Sequence, residues 1–289
     1  MLRKIHILLV ISLCNCAAFS QNADSVTFVN TKWNKARIAK KVRLMTHHFS
    51  TKNLFNDNQN ISYVEIKNTG NYPAFDIANE VKELKTTSAF GKQHNAILAL
   101  NGTFFDVKNG GSVDFVKVNG TIEALNRTEK NKIRARHQKA AIVINRGKLA
   151  LKKWDGTDNW ESNLTDESIL VTGPLLSLER VEERLDSSAF NTDRHPRTAI
   201  GIKPDGKIIL LTVDGRNANS AGMSLAELTK TMKWLGCSSS INLDGGGSTT
   251  LWVQGFPDNG IINYPTDNKL WDHSGERKVA NVIILTKKP

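Results

Sequence analysis

The chain has 289 residues with 39 Lys+Arg against 28 Asp+Glu, a formal net charge of +11, and 39% hydrophobic content. That length and composition can bury a sizeable core, and they exclude a mainly disordered chain, a collagen-like chain and a multi-span membrane protein. The excess of positive charge fits a nucleic-acid partner, an anionic polymer or an anionic substrate.

The chain opens with Arg3 and Lys4, then an apolar stretch from Ile5 that reaches Phe19. Ala18-Phe19-Ser20 places small residues at −3 and −1 of a cut before Gln21, the layout of a secretory signal peptide. The apolar core is too short to be a stable span. Cys14 and Cys16 raise a lipid anchor, but neither follows the small residues of a lipobox, so a secreted or periplasmic chain is expected. Processing leaves 269 residues, a charge of +9 and one thiol, Cys237, read as a small packed residue.

Ala36–Phe49 and Ile61–Lys67 carry strand-forming residues. In Phe75–Phe90, the spacing of Ile77, Val81 and Leu84 predicts an amphipathic helix. Ala96–Leu100 reads as a buried strand. Hairpins are expected at Asn119-Gly120, at Asn145-Arg146-Gly147 and at Pro204-Asp205-Gly206. Ser224–Leu235 is the clearest helix. Ser224 and Glu227 can form a capping box, Met223 can staple to Leu228, and Gly236 suits the end. Strands at 238–243, 249–253 and 279–286 close the chain. The expected fold is α+β, one domain at 91–289 with a mixed, mainly antiparallel sheet and flanking helices, preceded by an extension or subdomain at 21–90.

Four segments carry candidate chemistry. In Asn242-Leu243-Asp244-Gly245-Gly246-Gly247-Ser248 a strand presents Asn242 and Asp244 on one side. The three glycines let a ligand approach main-chain N–H groups that can receive an anion. No Lys follows them, so this is not a P-loop. Asp214-Gly215-Arg216 ends an apolar strand; a plain turn also explains it. Arg194-His195-Pro196-Arg197-Thr198 gathers basic groups, and Arg can grip a phosphate through two N–H bonds. Asn101-Gly102-Thr103-Phe104-Phe105 ends another strand, where Asn101 can meet a sugar hydroxyl or a phosphate oxygen.

The histidines (His6, His47, His48, His94, His137, His195, His273) are scattered rather than spaced as metal ligands. No cofactor is therefore expected, although a divalent metal on Asp244 or Asp214 stays open. Lys130-Asn131-Lys132-Ile133-Arg134-Ala135-Arg136 is the best support for nucleic-acid binding, and a solvated loop explains it as well.

Asn101-Gly102-Thr103-Phe104-Phe105, Arg197-Thr198-Ala199-Ile200-Gly201, Asp214-Gly215-Arg216, Gly222-Met223-Ser224-Leu225, Asn242 through Leu251 and the closing Arg277–Val279–Asn281 occur in this order. The series, over about residues 95–286, resembles the phosphodiester glycosidase family. Thr103 departs from the family's first motif, which has a small residue there. The resemblance implies hydrolysis of a sugar-1-phosphodiester to free sugar and phosphomonoester. The two strand-end acids suggest a mechanism for it, with Asp244 or Asp214 at the anomeric carbon as nucleophile or as base for water. Arg197 and Arg216 would hold the phosphate, and Asn101, Gly102, Thr198, Asn242, Gly245, Gly246, Gly247 and Ser248 would line the substrate. The expected partner is a phosphate-containing glycan, not nucleic acid or a membrane. A non-catalytic glycan binder and a metal-dependent phosphodiesterase are the competing readings.

Overall fold

A computed structural model describes residues 23–128 and 133–287. The expected signal peptide and Lys130–Lys132 lie outside the described residues. Every strand pair among the described residues is antiparallel.

The main sheet has eight strands. Across it run Asn34–Ala39, Val42–Leu54, Asp57–Ile66, Ile208–Val213, Arg197–Ile202, Ser239–Asn242, Leu175–Leu178 and Val181–Glu182. The first three come from the 21–90 segment and continue the sheet by pairing onto Ile208–Val213. A five-stranded sheet is built from Lys148–Lys153, Ala140–Asn145, Ser168–Val171, Val116–Val118 and Thr121–Ala124. A four-stranded sheet orders Leu251–Val253, Leu98–Asn101, Asn281–Thr286 and Ala74–Asn79.

The largest core joins one face of the main sheet to the two smaller sheets. Ile208 and Leu210 meet Leu98, Leu100, Ile142 and Ile283 there. Ile209, Leu211 and Val213 point the other way, since strand side chains alternate. They pack under the helix Leu225–Trp234 through Leu225, Leu228 and Met232, and against Phe28 of the helix Ala23–Val29. A strand covered on both faces reads as one apolar run, as Ile208–Val213 does. The helix starts as expected: Ser224 Oγ accepts from the Glu227 N–H at 3.2 Å, the Ser224 N–H donates to Glu227 Oε2 at 2.9 Å, and Gly236 has φ +84°.

The predicted hairpins form at all three turns. At the first, Asn119 (φ 48°) and Gly120 (φ 85°) take the left-handed turn conformation that asparagine and glycine favour. The helix expected at Phe75–Phe90 does not form. Ala74–Asn79 is a strand paired with Asn281–Thr286, and only Thr87–Gln93 is helical. Phe75 and Ile77 enter the large core while Ala78 enters the one beneath Phe90, which requires alternation. Val81, in the supposed buried stripe, is 59% exposed. Among the described residues no helix is long and apolar enough to cross a membrane.

Candidate active site

The glycine run leaves the central strand Ser239–Asn242 of the main sheet. Neighbouring chain segments fix its path. The Asp244 N–H donates to the Gly102 carbonyl at 3.1 Å, and the Gly246 N–H donates to the Pro196 carbonyl at 2.8 Å. Asn101 Nδ2 donates to the Asp244 carbonyl at 2.7 Å, while Asn101 Oδ1 accepts from Thr198 Oγ1 at 2.8 Å and from the Thr250 N–H at 3.1 Å. Asn101 and Thr198 are fully buried. They brace the Asp244 segment instead of facing a cleft. Asn242 is buried too; its Nδ2 donates to the Gly173 and Leu243 carbonyls.

The glycines are explained by what lies on them. At Gly102 a Cβ would sit 2.0 Å from Asn281 Oδ1, and at Gly245 one would sit 2.6 Å from the Pro196 carbonyl oxygen. Gly246 has φ +60°, and the Arg216 guanidinium lies 3.2 Å from where its Cβ would be. Over Gly247 lie Arg277 Nη2 and Asp267 Oδ1, each 2.6 Å from that Cβ position. Arg277 is held there by Asp267, whose Oδ1 accepts from Nε at 2.8 Å. Two guanidinium groups therefore cover the glycine run.

Asp244 is partly accessible beside them. Burial pushes its carboxyl up to about 6, against the Ser248 hydroxyl, the Gly245 N–H and the charge of Arg277, which lower it; Asp114 adds to the rise. The Ser248 hydroxyl is near enough to act on Asp244 but makes no hydrogen bond of ordinary geometry. With Thr249 and Thr250 it forms three consecutive buried hydroxyls that make no hydrogen bond of ordinary geometry among the described residues. Unpaired buried hydroxyls are costly.

Asp214 and Arg197 are placed differently from the rest. Asp214 is 1% exposed. Its carboxylate accepts from Asn60 Nδ2 at 2.8 Å, Asn263 Nδ2 at 2.9 Å and the Tyr264 N–H at 3.0 Å. Burial raises its pKa and these donors oppose the rise. The carboxylate ties three segments together and thereby fixes the turn that carries Arg216. Arg197 is also 1% exposed, and it donates through Nε to the Met223 carbonyl and through Nη2 to those of Phe190 and Asp193. Burial, then the charge of Arg216, lower its pKa to about 10. Most of its donors serve the main chain, so the arginines facing the glycines are Arg216 and Arg277.

Asp267 and Asp114 escaped the sequence reading, and Arg277 entered it only as part of the closing motif, with no role at the site. Asp267 and Arg277 form the pair over Gly247. Asp114, fully buried, accepts from Thr103 Oγ1 at 2.7 Å and faces His137 Nε2 at 2.9 Å. The only signal in the sequence was an acid inside an apolar stretch, Val113-Asp114-Phe115. His195 Nδ1 lies 3.4 Å from Arg216 Nη2. Burial and the charges of Arg197 and Arg216 lower its pKa, which suits a neutral ring. Among the described residues no group of three or more His, Cys, Asp or Glu could hold a metal ion.

The family profile for phosphodiester glycosidases matches residues 94–286. The chain belongs to the phosphodiester glycosidase family. Among relatives, it is 30% identical over 113 residues to mouse N-acetylglucosamine-1-phosphodiester alpha-N-acetylglucosaminidase, covering 38% of this chain and 20% of that enzyme. It is 35% identical over 88 residues to the SPbeta prophage-derived protein YomE of Bacillus subtilis strain 168, covering 26% of this chain and 14% of YomE. The alignments thus span a fifth or less of these relatives' lengths. In fold, the chain is similar to the zebrafish N-acetylglucosamine-1-phosphodiester alpha-N-acetylglucosaminidase catalytic domain, with a TM-score of 0.64 at 18% identity over 89% of this chain and 88% of that one. A hypothetical protein from Synechocystis matches with a TM-score of 0.63 at 14% identity, over 88% of this chain and 64% of that one.

Proposed function

We propose that this chain is an exported hydrolase that cuts the glycosidic bond of a sugar-1-phosphodiester, releasing free sugar and a phosphomonoester. The observation that carries the reading is Asp244, with its raised carboxyl, beside a glycine run covered by Arg216 and Arg277. The two guanidinium groups suit the diester phosphate and the charge that grows on it as the bond to the sugar breaks. A phosphate is a good leaving group and needs little protonation on departure. Asp244, ionised above about pH 6, acts at the anomeric carbon. Asn101 and Thr198 support this chemistry by holding the Asp244 main chain. The signal-peptide pattern of residues 1–20 supports export.

Product analysis on a panel of sugar-1-phosphodiesters tests the reading. Free sugar with phosphomonoester is the expected result. Sugar-1-phosphate would show cleavage at phosphorus, and tight binding with no product would identify a glycan binder.

A further inference from the structure

We infer that His137, oriented by Asp114, takes the proton from the water that completes hydrolysis at this site. The inference rests on the reading of Asp244 given above. A glycosidase of the usual kind uses two carboxyl groups, one of which handles the proton of water. Four acids gather here, and three are engaged by neighbours. Asp214 is 1% exposed and held by three donors. Asp114 is 0% exposed, and both its oxygens are engaged: Oδ2 by Thr103 Oγ1, Oδ1 by Gln138 Nε2 at 2.8 Å and by His137 Nε2. Asp267, over Gly247, is paired with Arg277, which leaves Asp244 as the acid beside the glycine run with no ion pair among the described residues.

His137 supplies the second group. A carboxylate can only accept, so the bond to Asp114 puts the ring hydrogen on Nε2 and leaves the Nδ1 lone pair as a base. Nδ1 makes no other hydrogen bond among the described residues. The side chain is 27% exposed, and its ring packs 4.5 Å from that of Phe104. It borders a cavity of about 540 Å³ shared with Phe104, Pro174, Phe190 and Asn191. Asp114 links His137 to the glycine run: it bonds the His137 ring, and its charge acts on Asp244. Phe190 lies under the Arg197 guanidinium at 5.0 Å, and the Arg197 Cα is 3.6 Å from the Gly245 Cβ position. Thr103, the donor to Asp114, follows Gly102, whose carbonyl accepts the Asp244 N–H.

Two steps follow. An Asp244 oxygen bonds to the anomeric carbon while the carbon–oxygen bond to phosphate breaks, its electron pair leaving on the phosphate. Water then bonds to that carbon and passes its proton to His137 Nδ1. The Asp244–carbon bond breaks and its pair returns to the carboxylate, after which His137 releases the proton to solvent. The sugar keeps its anomeric configuration.

The test uses full-length protein carrying His137→Gln, with a sugar-1-phosphodiester that the unaltered enzyme turns over. The expected result is a burst of about one phosphomonoester per enzyme, then a steady rate roughly 100-fold or more below normal. The intact mass should rise by one sugar residue. Azide, which attacks without a proton to lose, should restore turnover as glycosyl azide. If the Gln variant melts early, His137→Asn is read the same way. A steady rate within about fivefold of normal, loss of turnover without a burst in a folded variant, or an inverted product would overturn the inference and leave the glycosidase reading intact. An unaltered enzyme inert on every phosphodiester would overturn both.

Discussion

At the scale of single residues, Asp244 is a carboxyl pulled one way by burial and the other by Ser248, Gly245 and Arg277. Asp244→Asn should cut turnover by about a thousandfold or more while the fold persists, as read by steady-state kinetics and thermal melting. The unaltered enzyme should lose kcat/KM as pH falls through about 6, because protonation removes the carboxylate. The linkage sign gives a second readout. The folded-state pKa lies above the unfolded value, so ionised Asp244 destabilises the fold above pH 6, and that penalty shrinks as pH falls towards 4. Asp244→Asn should therefore melt higher than the unaltered protein at pH 7–8, with the advantage fading below pH 6. The glycine run and its acid were legible in the sequence because three consecutive glycines after a buried strand have few ordinary uses. The roles of Arg197, Asn101 and Asp214 were not, since a motif names a residue but not which way its side chain is spent. Arg197 spends its donors on three carbonyls, and Asp114 meets His137 only because chain folding joins residues 23 apart in sequence.

At the scale of elements, local chemistry decided what could be read. The capping box at Ser224 and the turn residues at Asn119-Gly120 act within four residues, so the sequence shows them directly. Ser224→Ala should lower stability by about 1 kcal/mol in denaturant unfolding, with kinetics little changed. Ala74–Asn79 was misread because its apolar residues also fit a helical spacing, and only pairing with Asn281–Thr286 settles the period. The junction of the neighbouring strands is less tolerant. Gly102→Ala would press a methyl against Asn281 Oδ1, which accepts the Thr103 N–H at 2.8 Å, and against the Asn281 carbonyl 2.9 Å away. It should cost about 1–3 kcal/mol in unfolding and reduce activity by displacing the segment that holds Asp244.

At the scale of the whole molecule, a chain with 39 Lys+Arg against 28 Asp+Glu carries a site that presents two arginines. Attraction of an anionic substrate to such a surface is screened within about 10 Å at 0.1 M salt. kcat/KM for a phosphodiester should therefore fall as salt rises from 20 to ~300 mM, chiefly through KM, and much less for an uncharged aryl glycoside of the same sugar. The order of the site along the chain has a consequence for how the enzyme is made. Gly102 rests on Asn281, and Gly247 lies beneath Arg277, so the pocket is assembled from both ends of the family domain. The strand Asn281–Thr286 sits between Leu98–Asn101 and Ala74–Asn79. A nascent chain that has displayed the glycine run but not yet this strand holds the motif without the enzyme. On the proposed function, activity waits until residues 281–286 have been added and have paired with their two neighbouring strands.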